Sequence, residues 1–564
     1  MRSTGFTVRT GRRVAVVLMA TVMAGVGTAH PRTHVDALAT TPANMPTGQW
    51  FADDEWGDDD SDEDEDSSSQ DGTWKADKDL GSLFTIAKQY GAQNAWGTSG
   101  SDNRKILGTG VDVAVIDTGV APVAGLEDPT RVVNGPDLSF ESQSPNTRHL
   151  DGYGHGTHMS AIIAGRDADI PAGGEDDAKH FAGVAPGARI VNLKVGTADG
   201  AADVSQVIAA IDWAVQHRNS GGLNIRVINL SYGTRSTQSY TIDPLAHAVE
   251  NAWRHGIVVV TAAGNNGPGT ALSMPAADPY VIAVGAVDHV GTDTSDDDRV
   301  SDFTNTGTPI RRPDLLAPGK SVVSLRTPGS YADRSHPEGL VTGDRHQRFF
   351  RGSGTSQAAA VVSGAVALLL QQRPKLNPDQ VKRLLTSTAD RLKSSLDPAQ
   401  GRGVLDIKGA LEASTPSALW SRQTWIPSTG LGTLEASRGD NQVVDPLNGT
   451  VLTGEVDALG QPWDARSWSA ASSAGEAWSG GTWNARSWSG ADWTGSSWTA
   501  RSWSSAEWTA RSWSGVDWSA RSWSDAVWTS SGWTSLDLLA RSWSQEAWAS
   551  RAWHGDTWAA SDVW

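Results

Sequence analysis

Four short stretches carry side chains that can do chemistry if the fold brings them together. Asp117 stands in Ile116-Asp117-Thr118-Gly119, at the exit of the apolar run Val111–Ile116. A carboxylate at a strand exit is either a functional group or a turn former with its small neighbours. His155, in Gly154-His155-Gly156-Thr157-His158, has a glycine on each side, which leaves its ring room to approach other chain segments. Taken alone it is either a functional histidine or a structural or exposed one. His158, three residues on, suggests metal ligation, but no acid lies between the two as in a zinc-peptidase helix. Ser356, in Gly352-Ser353-Gly354-Thr355-Ser356-Gln357-Ala358, precedes the apolar stretch Ala359–Leu370. It is either an N-cap or a hydroxyl left uncovered by small neighbours at a helix start, where free N–H groups favour negative charge. Asn265, in Ala262-Ala263-Gly264-Asn265-Asn266-Gly267, can donate to an oxyanion or build an Asn-Gly turn. Each signal is modest alone; what counts is their conjunction and their order along the chain.

These residues need a scaffold that presents strand ends and helix starts to one crevice. Val111–Ile116, Ile190–Val195, Ile225–Leu230, Ile257–Thr261 and Val281–Gly285 read as strands. They are β-branched and mostly lack a polar face, which suits a parallel sheet covered on both sides. Asp203–Arg218, Pro244–His255 and Thr355–Gln372 have helical spacing, and Asn377-Pro378 opens a further helix with a cap followed by proline. Strands alternating with helices predict an α/β fold, a three-layer sandwich around a mainly parallel central sheet. The carboxyl ends of such strands are where functional groups gather.

Composition narrows the rest. The chain has 564 residues, a net charge of −18 and no cysteine, which excludes a disulfide scaffold, a cysteine nucleophile and a thiolate metal site. Between Asp53 and Asp66, 11 of 14 positions are acidic, so the other 550 residues carry only −7. This balance argues against nucleic-acid binding, which needs clustered Lys and Arg. Arg2, Arg9, Arg12 and Arg13 precede the apolar run Val14–Val26 and the small residues Gly27-Thr28-Ala29. Residues 1–29 therefore read as a secretory signal peptide rather than an uncleaved anchor. No later segment is apolar enough to span a bilayer, so an exported, extracellular or surface-associated protein is expected. Residues 30–80 are expected to be a disordered acidic pro-segment or linker. The folded domain is placed at 81–414, a linker at 415–460 and a separate region at 461–564.

The matching stretches make the conjunction specific. VAVIDTGV at 113–120, GHGTHMSAIIAG at 154–165, GVAPGARIVNLKV at 183–195, VINLSYG at 227–233, VVVTAAGNNG at 258–267 and GTSQAAAVVSGAVALLL at 354–370 resemble the subtilisin-like (subtilase) serine peptidases. The resemblance runs from about Lys88 to Ala413, and the order Asp…His…Ser is that of subtilisin. It implies a serine endopeptidase acting on proteins or peptides, with Asp117 as triad carboxylate, His155 as general base, Ser356 as nucleophile and Asn265 as oxyanion donor. It further implies that a substrate lies as an added strand against Ser231, Tyr232 and Gly233. Ala262, Ala263 and Gly264 would form the opposite wall of the primary pocket. No cofactor is required. Calcium is a structural option, since Arg166–His180 stands where many relatives have a calcium loop, but Glu175, Asp176 and Asp177 lack a recognisable ligand spacing and an exposed acidic loop is expected. Gln357 and Tyr232 depart from the family pattern inside otherwise matching motifs.

The chain's end is of another texture. Of 27 tryptophans, 19 follow residue 460, and they occupy positions 463, 468, 478, 483 and every fifth residue to 558, missing only Ser473 and Leu538. A step of five circles a helix axis and changes face on a strand, so a non-helical, extended or solenoidal tail is expected. The tail weakly resembles pentapeptide-repeat solenoids. Its tryptophans either stack on one another and on Arg or grip a cell-wall polymer, a glycan or a protein. In the latter case the alternative function is a surface-binding or assembly protein whose peptidase acts mainly on itself.

Overall fold

The computed structural model describes residues 72–98, 104–142, 146–290, 297–393, 398–444, 451–458, 460–479 and 482–483. The strands are β1 Asp112–Asp117, β2 Val132–Asn134, β3 Arg189–Lys194, β4 Ile225–Leu230, β5 Val258–Ala262, β6 Ile282–Asp288, β7 Arg299–Val300, β8 Leu315–Pro318, β9 Val322–Leu325, β10 Phe349–Gly352, β11 Trp478–Ser479 and β12 Thr482–Trp483. The helices are α1 Leu83–Gln89, α2 Ala92–Trp96, α3 His155–Ala164, α4 Val204–His217, α5 Pro244–Arg254, α6 Tyr331–Ser335, α7 Thr355–Gln372, α8 Pro378–Thr388, α9 Ile407–Glu412, α10 Ala418–Ser421, α11 Leu434–Arg438 and α12 Ala465–Ala474.

The central sheet has the order β2-β3-β1-β4-β5-β6-β7, with β8 also pairing with β6. All its pairings are parallel except β6 with β7. Both faces of the central strands are buried, as their unbroken apolar runs require. Helices α3 and α7 pack together on one face, and α7 spans β4, β5, β6 and β8. On the other face α4 and α5 pack on each other over β1, β4 and β5. This is the three-layer α/β sandwich. Capping fixes where the helices start. Asp203 and Gln206 form a reciprocal capping box on α4, Asn377 and Gln380 another on α8, and Asp243 with Pro244 opens α5. β1 lies centrally, between β3 and β4, so its carboxyl end opens on the crevice where α/β sheets hold ligands.

Three boundaries differ from expectation. Residues 72–80, placed in the disordered segment, belong to the folded unit: Trp74 Nε1 donates to Asp79, and Asp79 pairs with Arg351 before Thr355. Residues 415–460 are not a linker. Ser437 and Arg438 are fully buried, and the Arg438 guanidinium pairs with Asp203 at 2.6 Å and reaches the Gly454 and Val456 carbonyls. A cation met by carboxylates and backbone carbonyls tolerates burial, which sequence polarity alone does not reveal. Third, the tail begins with a helix. α12 carries Trp468 but spans Ser473, where the five-residue lattice skips a tryptophan. Asp464 caps its start and Gly475, at φ +70°, ends it. Beyond it the lattice resumes, and Trp478 lies opposite Trp483 in the β11–β12 pair. Trp463, Trp468 and Trp483 pack ring on ring, while the indole N–H groups of Trp468 and Trp483 both donate to Asp212 of α4 at 2.9 Å. The repeats after 483, like residues 1–71, lie outside the described residues.

Candidate active site

The end of β1 and the start of α3 are tied together by a chain of hydrogen bonds. His155 Nδ1 donates to Asp117 Oδ1 at 2.8 Å, and both side chains are about 1% exposed. The Thr118 N–H donates to the same carboxylate, while the Thr118 hydroxyl accepts from Gly156 N and donates to Asp151. Asp151 in turn accepts from the backbone of Tyr153, Gly154 and Thr157. The approach is so close that a Cβ on Gly156 would overlap the Gly119 carbonyl. Gly119 itself, at φ +112°, supplies the turn that only glycine adopts freely. Burial raises the Asp117 carboxyl above its ordinary range, and the His155 interaction opposes that rise.

Ser356 is the second residue of α7 and is buried. Its Oγ is 3.5 Å from the Ser231 carbonyl oxygen, and the Ser231 hydroxyl is 3.3 Å from the Ser356 carbonyl. Thr355, beside it, organises the other wall. The Asn265 Oδ1 accepts from both the Thr355 N–H (2.9 Å) and its hydroxyl (2.8 Å), and Gly264 N donates to that hydroxyl. Two donors on one oxygen fix the amide orientation, so Nδ2 is the atom left to face away from Thr355. Ala262 ends β5, and Ala263 continues into a small apolar cluster with Leu272, Ala276 and Ala283. The structure thus joins Asp117 with His155, Ser356 with Ser231, and Asn265 and Gly264 with Thr355. Sequence reasoning missed Thr118, Asp151 and Thr355. Only their places next to or near matched residues could have flagged them.

Several expectations change. His158 is fully buried one turn into α3, with Nε2 donating to the Phe350 carbonyl at 3.2 Å. Burial, then the neighbouring His155, push it down to about 3, so it is a neutral structural histidine. Tyr232 is fully buried rather than displayed, and the Gly233 carbonyl accepts from Asn441 Nδ2 at 2.9 Å. The segment after β4, where the resemblance places the substrate, therefore meets the carboxy-terminal arm (residues 415–444 and 451–458) at Gly233. The 166–180 loop is less exposed than expected: Glu175 is buried against Arg166 and Lys105. Asp167, Asp169 and His180 lie close enough to share an ion. Asp167, however, already bonds Arg348 and Phe181 N, and an imidazole is a poor calcium ligand, so the group does not fit calcium.

Residues 108–403 match the Subtilase family. The chain is 33% identical over 317 residues to the serine protease AprX of Bacillus subtilis, covering 55% of this chain and 68% of that protein. It is 35% identical over 309 residues to subtilisin DY of Bacillus licheniformis, covering 54% of this chain and 92% of that one. The crystal structure of fervidolysin from Fervidobacterium pennivorans aligns over 62% of this chain and 50% of its own, at 27% identity and a TM-score of 0.45. The matched span holds every strand of the central sheet and all four candidate residues, and on that ground the chain belongs to the subtilase family of serine endopeptidases.

Proposed function

We propose that the protein is an exported endopeptidase that cleaves peptide bonds through an acyl-enzyme on Ser356. The observation that carries this reading is the buried 2.8 Å pair between Asp117 and His155 at the mouth of β1. With Nδ1–H held by the carboxylate, Nε2 is the basic nitrogen, which is the tautomer a general base requires. His155 takes the Ser356 proton as Oγ bonds to the substrate carbonyl carbon. The resulting oxyanion is met by Asn265 Nδ2 and the Ser356 N–H at the positive end of α7. Collapse breaks the C–N bond, and His155 returns the proton to the departing amine. Water, activated by the same imidazole, then releases the acyl group. No cofactor enters these steps. The substrate lies between Ser231 and the Ala262–Gly264 wall, bound through backbone hydrogen bonds that accept many sequences. Export is supported by the amino-terminal pattern, and among the described residues no helix is long and apolar enough to cross a membrane.

A fluorophosphonate probe tests the nucleophile. The full chain should be labelled and should digest casein, while Ser356→Ala and His155→Ala should do neither. Labelling that persists in folded Ser356→Ala, or absence of labelling in the wild type, overturns the assignment.

A further inference from the structure

We propose that the carboxy-terminal arm ends the acyl-side peptide groove at Tyr232, with Asn441 as the specificity-determining residue. The inference rests on the acyl-enzyme reading above. The Ser231 carbonyl lies beside Ser356 Oγ, so a peptide acylating Ser356 runs along the chain that follows β4. An extended peptide would seek its next backbone partner two residues on, at Gly233. That carbonyl is engaged by Asn441 Nδ2, and its neighbours are engaged too: Thr234 Oγ1 donates to the Ser437 carbonyl at 2.6 Å, and Thr237 N to Ala436 O at 3.1 Å. Asn441, Ser437, Thr234 and Tyr232 are all at most 1% exposed.

The arm is fastened where it does this. Arg438 pairs with Asp203, the cap of α4, and Ala458 N donates to Ser205 Oγ. At roughly 3.3 Å per residue, the stretch from Ser231 to Gly233 corresponds to about two substrate residues. The enzyme therefore recognises short acyl-side sequences, and residues further from the cleaved bond contribute no strand pairing.

The experiment measures kcat/KM for p-nitroanilides that share the residue at the cleaved bond and carry one to five acyl-side residues. For the wild type, the value should rise up to two residues and stay flat from three to five. Asn441→Ala should leave the two-residue substrate unchanged and gain about 2- to 10-fold at the third residue through KM, the worth of one hydrogen bond. A continued rise beyond two residues in the wild type overturns the proposal, as does a flat profile in folded Asn441→Ala. If that variant does not fold, the wild-type profile decides alone. Fluorophosphonate labelling run in parallel separates the two readings. An unlabelled, inactive enzyme condemns the acyl-enzyme, whereas a labelled enzyme without the plateau condemns only the role of the arm.

Discussion

Asp212 offers a test of what holds the tail to the catalytic domain. Its carboxylate is buried on α4 and accepts from the indoles of Trp468 and Trp483 and from Ser472 Oγ at 2.6 Å. Burial outweighs those three bonds and pushes the group up to about 6. A free carboxyl titrates near 3.9, so docking favours the protonated form, and the stability it contributes is lost as pH rises through about 6. The span of roughly two pH units corresponds to about 3 kcal/mol, or about 100-fold in the opening equilibrium. Asp212→Asn should remove this dependence, because its oxygen still accepts both indoles and its amide can donate to Ser472. Amide hydrogen exchange of peptides covering α12, measured in the Ser356→Ala background to suppress autolysis, reads the opening directly. After correction for intrinsic exchange, wild-type protection should fall about 10-fold between pH 5 and pH 8, the rest of the roughly 100-fold being lost already between about pH 4 and pH 5. The Asn variant should be flat and better protected at pH 8. If wild-type protection is constant or rises with pH, the carboxylate is stabilised by its three donors, and the reasoning fails.

Asp117→Asn should lower kcat by about 10⁴ with little change in KM, because the imidazole then rests in the wrong tautomer; steady-state kinetics on a peptide substrate decide it. Gly156→Ala forces the start of α3 off Gly119, and a misplacement of about 1 Å should cost on the order of 10² in kcat/KM. Removing one oxyanion donor from a subtilisin lowers turnover by about 10²–10³, and Asn265→Ala should fall in that range without losing its melting transition. Arg438→Met leaves Asp203 buried without its cation and should cost about 3–5 kcal/mol in urea denaturation. The acid limb of kcat/KM should have a slope of one, since His158 is already neutral above about 3; a slope of two implicates a second group.

The layered sheet was legible because its strands announce themselves twice, by β-branched runs and by the turn residues that end them. β1, β3, β4, β5 and β6 begin within one residue of where the apolar runs place them, and α7 matches Thr355–Gln372 at both ends. What stayed hidden were strands of four residues or fewer, such as β8 (LLAP) and β10 (FFRG). At that length a strand has no period to read, and its pairing comes from β6 or β9 rather than from its own residues.

The site divides along the same line. The side chains proposed to do chemistry sit in local motifs with glycines around them, so Asp117, His155, Ser356 and Asn265 stand out in sequence. Side chains that position them act across the fold, and nothing local marks Asp151 as the acceptor for both Thr118 and the start of α3. The arm is the extreme case. Arg438 reads as a surface cation until Asp203, 235 residues away, is brought against it at 2.6 Å. Long-range burial of a charge depends on its partner's position, which periodicity does not encode. The five-residue lattice misled in an instructive way. It describes a spacing, but α12 forms at its gap, where Ser473 replaces tryptophan and small residues let the helix settle on α5. Trp478 and Trp483, five apart and in phase, then pair across two short strands and anchor to α4 through Gln216, the Ala209 carbonyl and Asp212. The first tryptophans of the lattice therefore spend their surface on the peptidase domain itself, and the arm they fasten is the one that reaches Gly233.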